Sequence, residues 1–340
     1  MSKFLEQLIE QKKQKELVKL DAVEIVKALF ADLKDREQDV LSRRYGLHGK
    51  NKETLEKIGQ LHNLTRERVR QIESASLKKL RKLNYLEEYL QDINQVVREL
   101  IQEHGGLMRQ DFLLNILTLA LKETNKKELG DKEKGLYKNY FDFVISELLS
   151  ENIEKVKKED NYHISYKLKD QDTKHFDELV GEAMTKVETM KQTVKTKELL
   201  DILKSLKSYK KYETKLNLDS SNLSKIFADD VFPEDSKTIN DNKSLYSFLQ
   251  AIKNLDQNKF GDWGLSDWRE VSPKTINDKI YLVLKNNGKP MHFTGIAERI
   301  NEVNFDKKKA NPATVHNELI LDDRYELVGR GLYALKEWKN

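Results

Sequence analysis

TLEKIGQLHNLTRERVRQIESASLKKLRK, residues 54–82, reads as two short amphipathic helices joined by a tight turn. With Thr65 as the cap of the second helix and about 100° of rotation per residue, Val69, Ile72, Ser76 and Leu80 share one side. Glu67, Arg70, Gln71, Ser74, Lys78 and Arg81 fall opposite them in a sector about 100° wide. One face is built to pack, and the other is left to solvent or to a partner. Asn63 occupies the turn, where tolerance of left-handed backbone is wanted.

The outer face carries a particular chemistry. Arginine bonds guanine O6 and N7 in bidentate fashion, glutamine bonds adenine N6 and N7, and glutamate accepts from cytosine N4. Glu67, Arg70 and Gln71 supply all three. Arg66 in the first turn, and Lys78 and Arg81 further along, are placed to meet phosphates, which fix register without carrying sequence information. A charged helical face can also be merely solvated, so the surrounding sequence has to decide. From Lys34 to Leu83 fourteen Lys and Arg stand against seven Asp and Glu, a net of +7, whereas the whole chain is only +4. A basic footprint confined to one small module is what phosphate neutralisation requires.

The stretch Leu33–Lys82 resembles region four of the primary, sigma-70-type sigma factors of bacterial RNA polymerase. LKDREQDVLSRRYGL (Leu33–Leu47) looks like that family's helix before the helix-turn-helix, TLEKIG like its first helix, and LTRERVRQIE followed by SLKKLRK like its recognition helix. The resemblance implies major-groove binding of a minus-35-like promoter element in double-stranded DNA, with base contacts at Arg66, Glu67, Arg70 and Gln71. It implies DNA-backbone contacts near Arg36, Thr54 and Leu55, the latter two through free N–H groups at a helix start. It also implies docking on the flap of the polymerase beta subunit.

A length of 340 residues suggests two to four domains, and 35% charged with 38% hydrophobic residues leaves enough apolar periodicity to fold. There is no cysteine, so disulfides and thiolate metal sites are excluded. None of the seven histidines has a carboxylate four residues after it, and neither metal nor cofactor is expected. The N-terminus lacks a secretory apolar core, and the longest apolar stretch, Phe112 to Leu121, is interrupted by Asn115 and covers about half a bilayer span. These features predict no membrane partner and a cytoplasmic, nucleoid-associated chain.

Beyond residue 86 one plan recurs three times, two or three helices followed by a pair of strands. In the first unit INQVVRELIQEHGG, MRQDFLLNIL and FDFVISELLSE are helical in spacing, and IEKVKKEDNYHISYKL alternates like a hairpin, a winged-helix order. The second runs from Phe176 through TVKTKELLDILKSL and SLYSFLQAIKNL to FGDWGLSDW, and its long polar middle, Lys207 to Lys243, reads as an irregular insertion or else as a boundary between units. The third is the clearest: TINDKIYLVLKNNGK, FTGIAERINEV and ANPATVHNELILDD as helices, with Pro312 suited to a first helical turn, then a hairpin around Gly329-Arg330-Gly331. The predicted divisions are an N-terminal helix at 1–20, a helix-turn-helix domain at 21–86, winged units at 90–170 and 175–268, and a winged helix-turn-helix at 272–340. Trp263, Trp268 and Trp338, near strand ends, are expected to plug cores.

The last unit, through KPMHFTGIAERI, TVHNELI, DDRYELVGRGLYAL and the closing Trp338, is similar to the HARE-type modules of the polymerase delta subunit, chromatin regulators and some restriction systems. That resemblance implies a DNA or polymerase contact. From Glu270 to Asn340 twelve basic residues stand against ten acidic, a net of +2, which is weak for independent duplex binding. His316, Asn317 and Arg330, with Lys307–Lys309, are the candidate contacts.

The expected fold class is mainly α, with tandem helix-turn-helix and winged-helix modules and short β-hairpin wings. The expected function is that of a sigma-like, sequence-specific DNA-binding transcription factor that also contacts RNA polymerase. The alternative is a delta-like accessory subunit acting mainly through protein contacts. No segment resembles the sigma region that opens the minus-10 element, so autonomous initiation is not expected. FPEDSK at Phe232–Lys237 is the one compact carboxylate-lysine set, read as a solvated turn, and no enzymatic activity is expected. The leading helix, Phe4 to Leu20, is read as a tether or flanking helix.

Overall fold

Helices dominate because apolar residues recur at helical spacing, and several helix starts, at Asp21, Thr54, Thr65, Thr275, His292 and Asn311, carry a side chain that accepts from free N–H groups. The computed structural model describes residues 21–125, 129–156, 162–169, 171, 174–216 and 236–339. The expected leading helix and residues 232–235 of FPEDSK lie outside them.

Helix α1, Ala22–Phe30, begins at Asp21, whose carboxylate accepts from the amides of Val23 and Glu24. Helix α2, Asp35–Tyr45, stops at Gly46, whose φ of 70° is left-handed. A loop leads to α3, Leu55–His62, and α4, Arg66–Arg81. Then come α5 (Leu86–Glu103), strand β1 (Leu107–Arg109), α6 (Gln110–Asn125), and α7 (Asp131–Phe143), which runs into a π-helical turn at Val144–Leu148. Strands β2 (Ile153–Val156) and β3 (Ser165–Leu168) close this set as an antiparallel sheet of order β1-β3-β2.

The same order recurs twice. Helix α8 (Lys174–Met190), β4 (Val194–Lys195), α9 (Thr196–Ser205), α10 (Lys207–Leu216), α11 (Ser236–Asn240) and α12 (Lys243–Ala251) precede β5 (Leu255–Gln257) and β6 (Asp262–Leu265), in the sheet β4-β6-β5. Helix α13 (Ile276–Asn287), β7 (Met291–His292), α14 (Phe293–Val303) and α15 (Pro312–Leu321) precede β8 (Tyr325–Gly329) and β9 (Leu332–Leu335), in the sheet β7-β9-β8. In the third set the expected helices and hairpin appear where the sequence places them, with Asn311 capping α15 through the Ala313 amide and Pro312 in its first turn.

One element departs from the sequence reading. Each expected two-strand wing is a three-stranded sheet, because β1, β4 and β7 join from the turn between the first two helices. Met108–Arg109, read there as the start of a helix, belongs to β1. Strands of two or three residues are too short to display alternation, and they form because a distant partner supplies their hydrogen bonds. Leu107 pairs with Lys167, Val194 with Trp263 and Met291 with Tyr333.

The described residues fall into two compact units, one reaching to Phe176 and including Lys211–Ala251, the other comprising Asp177–Lys210 and Ile252–Asn340. In the first, α12 lies on β1: the Ser247 hydroxyl donates to the Leu107 carbonyl at 2.9 Å, and Phe248 stacks on Phe176 with centroids 5.8 Å apart. Lys243 pairs there with the buried Glu103. In the second, Ile280, Leu284, Ile296, Ile300, Val315, Leu319 and Tyr333 form the core of the C-terminal helix-and-sheet set. Each such aliphatic side chain contributes about 1.5–3 kcal/mol by leaving water. Trp263 is buried, as a core plug should be, whereas Trp268 is half-buried and Trp338 is exposed. Among the described residues no helix is long and apolar enough to cross a membrane.

Candidate nucleic-acid interface

The angle between α3 and α4 is set by three local devices. Thr54 caps α3 by accepting from the Lys57 amide at 3.3 Å, and Thr65 caps α4 by accepting from the Arg68 amide at 3.2 Å. Between them Asn63 is left-handed, with φ of 55°, which lets the Leu64 amide donate back to the Gly59 carbonyl at 2.8 Å. Gly59 is required by this close approach, since a Cβ there would lie 2.6 Å from the Leu64 carbonyl oxygen. Val40, Ile58 and Val69 fill the angle, with Leu55, Leu64 and Ile72 packed around them. Gly59→Ala is therefore expected to cost this module about 2 kcal/mol through overpacking against backbone, read as a lowered midpoint in chemical denaturation. An unchanged midpoint would mean that the turn is not held this tightly.

With one side of α4 buried, the other is presented. Glu67, Arg70, Gln71, Lys78 and Arg81 are exposed. Arg70 grips Glu67 with two hydrogen bonds, Nε to Oε2 at 2.9 Å and Nη2 to Oε1 at 2.6 Å. The Arg70 guanidinium holds the Glu67 carboxyl below the usual range, so the glutamate stays an acceptor. Arg68 donates to the side-chain oxygen Oε1 of Gln71 at 3.0 Å, and Gln71 also hydrogen-bonds the Glu67 carboxylate through its side chain. The outer face is thus a linked set of Arg68, Gln71, Glu67 and Arg70, and the tie from Arg68 has no signal in the sequence beyond an i, i+3 spacing.

A second feature lies at the start of α3. Arg44, Thr54, Leu55, Glu56 and Arg66 line a cleft of about 420 Å³. The first amides of a helix have no intrahelical acceptor and point outward with a partial positive charge. Arg44 and Arg66 therefore complete a setting suited to a phosphate. Arg44 is held in place by the Glu73 carboxylate at 3.3 Å and by the Glu53 carbonyl at 3.3 Å. The sequence reading missed Arg44, because only the packing of α2 against α4 brings it beside Thr54.

The other candidate residues are placed as follows. Arg36, Arg66 and Lys78 are exposed. Arg81 bonds to the Glu147 backbone carbonyl at 2.7 Å and to its carboxylate at 3.2 Å, so its charge is already engaged. In the C-terminal set His316 is half-buried, its ring 4.6 Å from that of Phe293 and 5.9 Å from that of Tyr333, which is a packing role. Asn317 and the wing-tip Arg330 are exposed. Helix α15 holds no lysine or arginine, and Ile320 and Leu321 at its end are 61% and 81% exposed.

The surface of the helix-turn-helix module away from α4's outer face is covered within the same unit by α7. The Phe143 ring meets Phe30 and Tyr45 edge-on at 5.8 and 4.9 Å. Tyr140 donates to the Leu47 carbonyl at 3.0 Å and Asn139 to the Gly46 carbonyl at 3.1 Å. In a winged-helix order α7 is the recognition-position helix, and here one side of it is spent on this contact.

These caps, this turn and this outward set of Arg, Glu and Gln coincide with a known module. Residues 29–82 match the family of sigma-70, region 4. RNA polymerase sigma factor SigA1 of Synechococcus elongatus is 50% identical over 70 residues, which cover 20% of this chain and 18% of that protein. RNA polymerase sigma factor SigA of Nostoc sp. is 49% identical over 70 residues, again 20% and 18% of the two chains. RNA polymerase sigma-C factor of Nostoc sp. is 45% identical over 69 residues, 19% and 17%. The chain spans about a fifth of the length of the curated relatives it matches. No solved structure matches it. The region-4 match ends at Lys82, so α7 and the helices and sheets beyond it lie outside the matched segment.

Proposed function

We propose that this protein is a sigma-factor-like, sequence-specific DNA-binding protein acting in transcription initiation or its regulation. Helix α4 enters the major groove of a promoter element, where Arg66, Glu67, Arg70 and Gln71 meet base edges. The cleft at Thr54 and Leu55 takes a backbone phosphate, and Arg36 and Lys78 add charge along the duplex. RNA polymerase is the protein partner, met through the region-4 module, with the beta-subunit flap as the contact its resemblance implies. The protein acts by binding and not by catalysis. The observation that carries this reading is the convergence of Glu67, Arg70 and Gln71 on the exposed face of a capped helix within the segment that matches region 4.

Arg70→Ala is expected to lower affinity for the preferred duplex by about 1–3 kcal/mol while changing affinity for shuffled DNA much less. Lys78→Ala is expected to weaken both equally and to reduce the slope of log K against log salt by about 1. Equal losses on preferred and shuffled DNA for Arg70→Ala would contradict base reading.

One observation favours a second reading for the C-terminal set. Its recognition-position helix α15 has no cation and exposes Ile320 and Leu321, while Leu327 and Val328 on β8 are also exposed. Such a surface suits protein better than phosphate, as a delta-like accessory subunit of RNA polymerase would require. Co-elution with core polymerase that survives nuclease treatment but is lost on Leu321→Asp would support this role.

A further inference from the structure

The loop from Gly46 to Thr54 ends at the capped start of α3, and α7 grips it at three places. Two are the hydrogen bonds to the carbonyls of Gly46 and Leu47. The third is an ion pair between the Lys52 ammonium and the Asp142 carboxylate at 2.7 Å, joining residues two positions before the Thr54 cap to a side chain ninety positions downstream. Asp142 is only 4% exposed. Its oxygens also accept from Lys155 at 2.9 Å, from the Gln110 amide at 2.5 Å and from the Tyr166 hydroxyl at 2.5 Å. Buried carboxylates are costly unless fully satisfied, and this one is. Four donors fix it, and it in turn fixes Lys52, whose side chain is otherwise 47% exposed. Burial pushes the Asp142 pKa up, and the Lys155 and Lys52 ammonium groups with the Tyr166 hydroxyl more than reverse this, bringing it down to about 2, so the carboxylate is charged at any working pH.

We infer that Asp142 is a positioning residue for DNA binding: through Lys52 it holds the loop that sets the phosphate-facing start of α3. The inference rests on the DNA-binding reading above. It assigns the helix-and-sheet set after the region-4 module a task other than reading bases. That set is a splint, and its recognition-position helix α7 is applied to protein.

The two carboxylate and ammonium partners make separable variants. Asp142→Asn keeps the shape and an acceptor for Tyr166, and Lys52→Met keeps the aliphatic stem. Each is expected to weaken binding of full-length protein to its selected duplex by about tenfold, the scale of one charge-assisted contact. Each should also reduce the salt slope by about 1, and the double variant should lose no more than either alone, since both act through one link. Without DNA, hydrogen exchange of amides 46–58 should quicken in both variants. A Lys52 that met phosphate directly would be released by Asp142→Asn and would bind more tightly, a result that overturns the proposal. Unchanged affinity and slope in Asp142→Asn, with wild-type binding intact, overturns it as well. Failure of the wild-type protein to bind any duplex is read before any variant and removes the DNA-binding reading itself, and the positioning role with it.

Discussion

Replacing Phe143 with alanine is expected to lower the stability of the first unit by about 3–5 kcal/mol, the range for removing a fully buried aromatic ring. Phe143 is 0% exposed, and its ring lies edge-on to both Phe30 of α1 and Tyr45 of α2. Edge-on aromatic pairs add about 0.5–1.5 kcal/mol to area burial, and both pairs would vanish together. Hydrogen bonds and an ion pair also link α7 to the Gly46–Lys52 loop, and the π-helical turn after it binds Arg81 through Glu147. Urea denaturation followed by far-ultraviolet circular dichroism reads the loss. Phe143→Leu should recover part of it, because volume is partly kept. A loss below about 1 kcal/mol for the alanine variant would mean that the ring is not the lock between α7 and the first two helices.

The second large effect is expected at Trp263. It is 1% exposed at the centre of its sheet, where β6 pairs with Val194 of β4 on one side and Gln257 of β5 on the other. Its indole N–H donates to the Thr196 hydroxyl at 3.2 Å, and Thr196 opens α9. Trp263→Ala should cost about 3–5 kcal/mol. Trp263→Phe should cost less, since it fills most of the space and leaves the Thr196 hydroxyl its contact from the Gln257 amide at 3.3 Å. Thermal unfolding of the two variants tests the order. Equal melting temperatures for wild type and Trp263→Ala would exclude the core role.

What the sequence shows and hides follows from the range of each interaction. The helix-turn-helix is legible because its devices are local: Thr54, Asn63 and Thr65 act within three residues, and Val69, Ser76 and Leu80 repeat at helical spacing. The same holds for Asn311, Pro312 and the hairpin from Tyr325 to Leu335. Strands β1, β4 and β7 are hidden because their partners lie forty or more residues away and two or three residues carry no pattern. For the interface, exposure of Glu67, Arg70 and Gln71 could be read from the helical wheel. Their pairing could not, since a wheel places Arg70 among neighbours without saying that Glu67 holds it. Arg81 lies on the same outer sector as Arg70 and is nonetheless tied to Glu147, which only the packing of the π-helical turn reveals. The role of Asp142 depends on Lys52, Gln110, Lys155 and Tyr166 meeting from four separate elements.

The central claim is that α4 reads DNA sequence through its outer face. It is tested most directly by selecting duplexes from a random pool with full-length protein at near-physiological salt, alongside an Arg70→Ala, Gln71→Ala variant. The account predicts enrichment of one short motif by the wild-type protein and none by the variant. The absence of any enriched motif, or the same motif from both proteins, would contradict it.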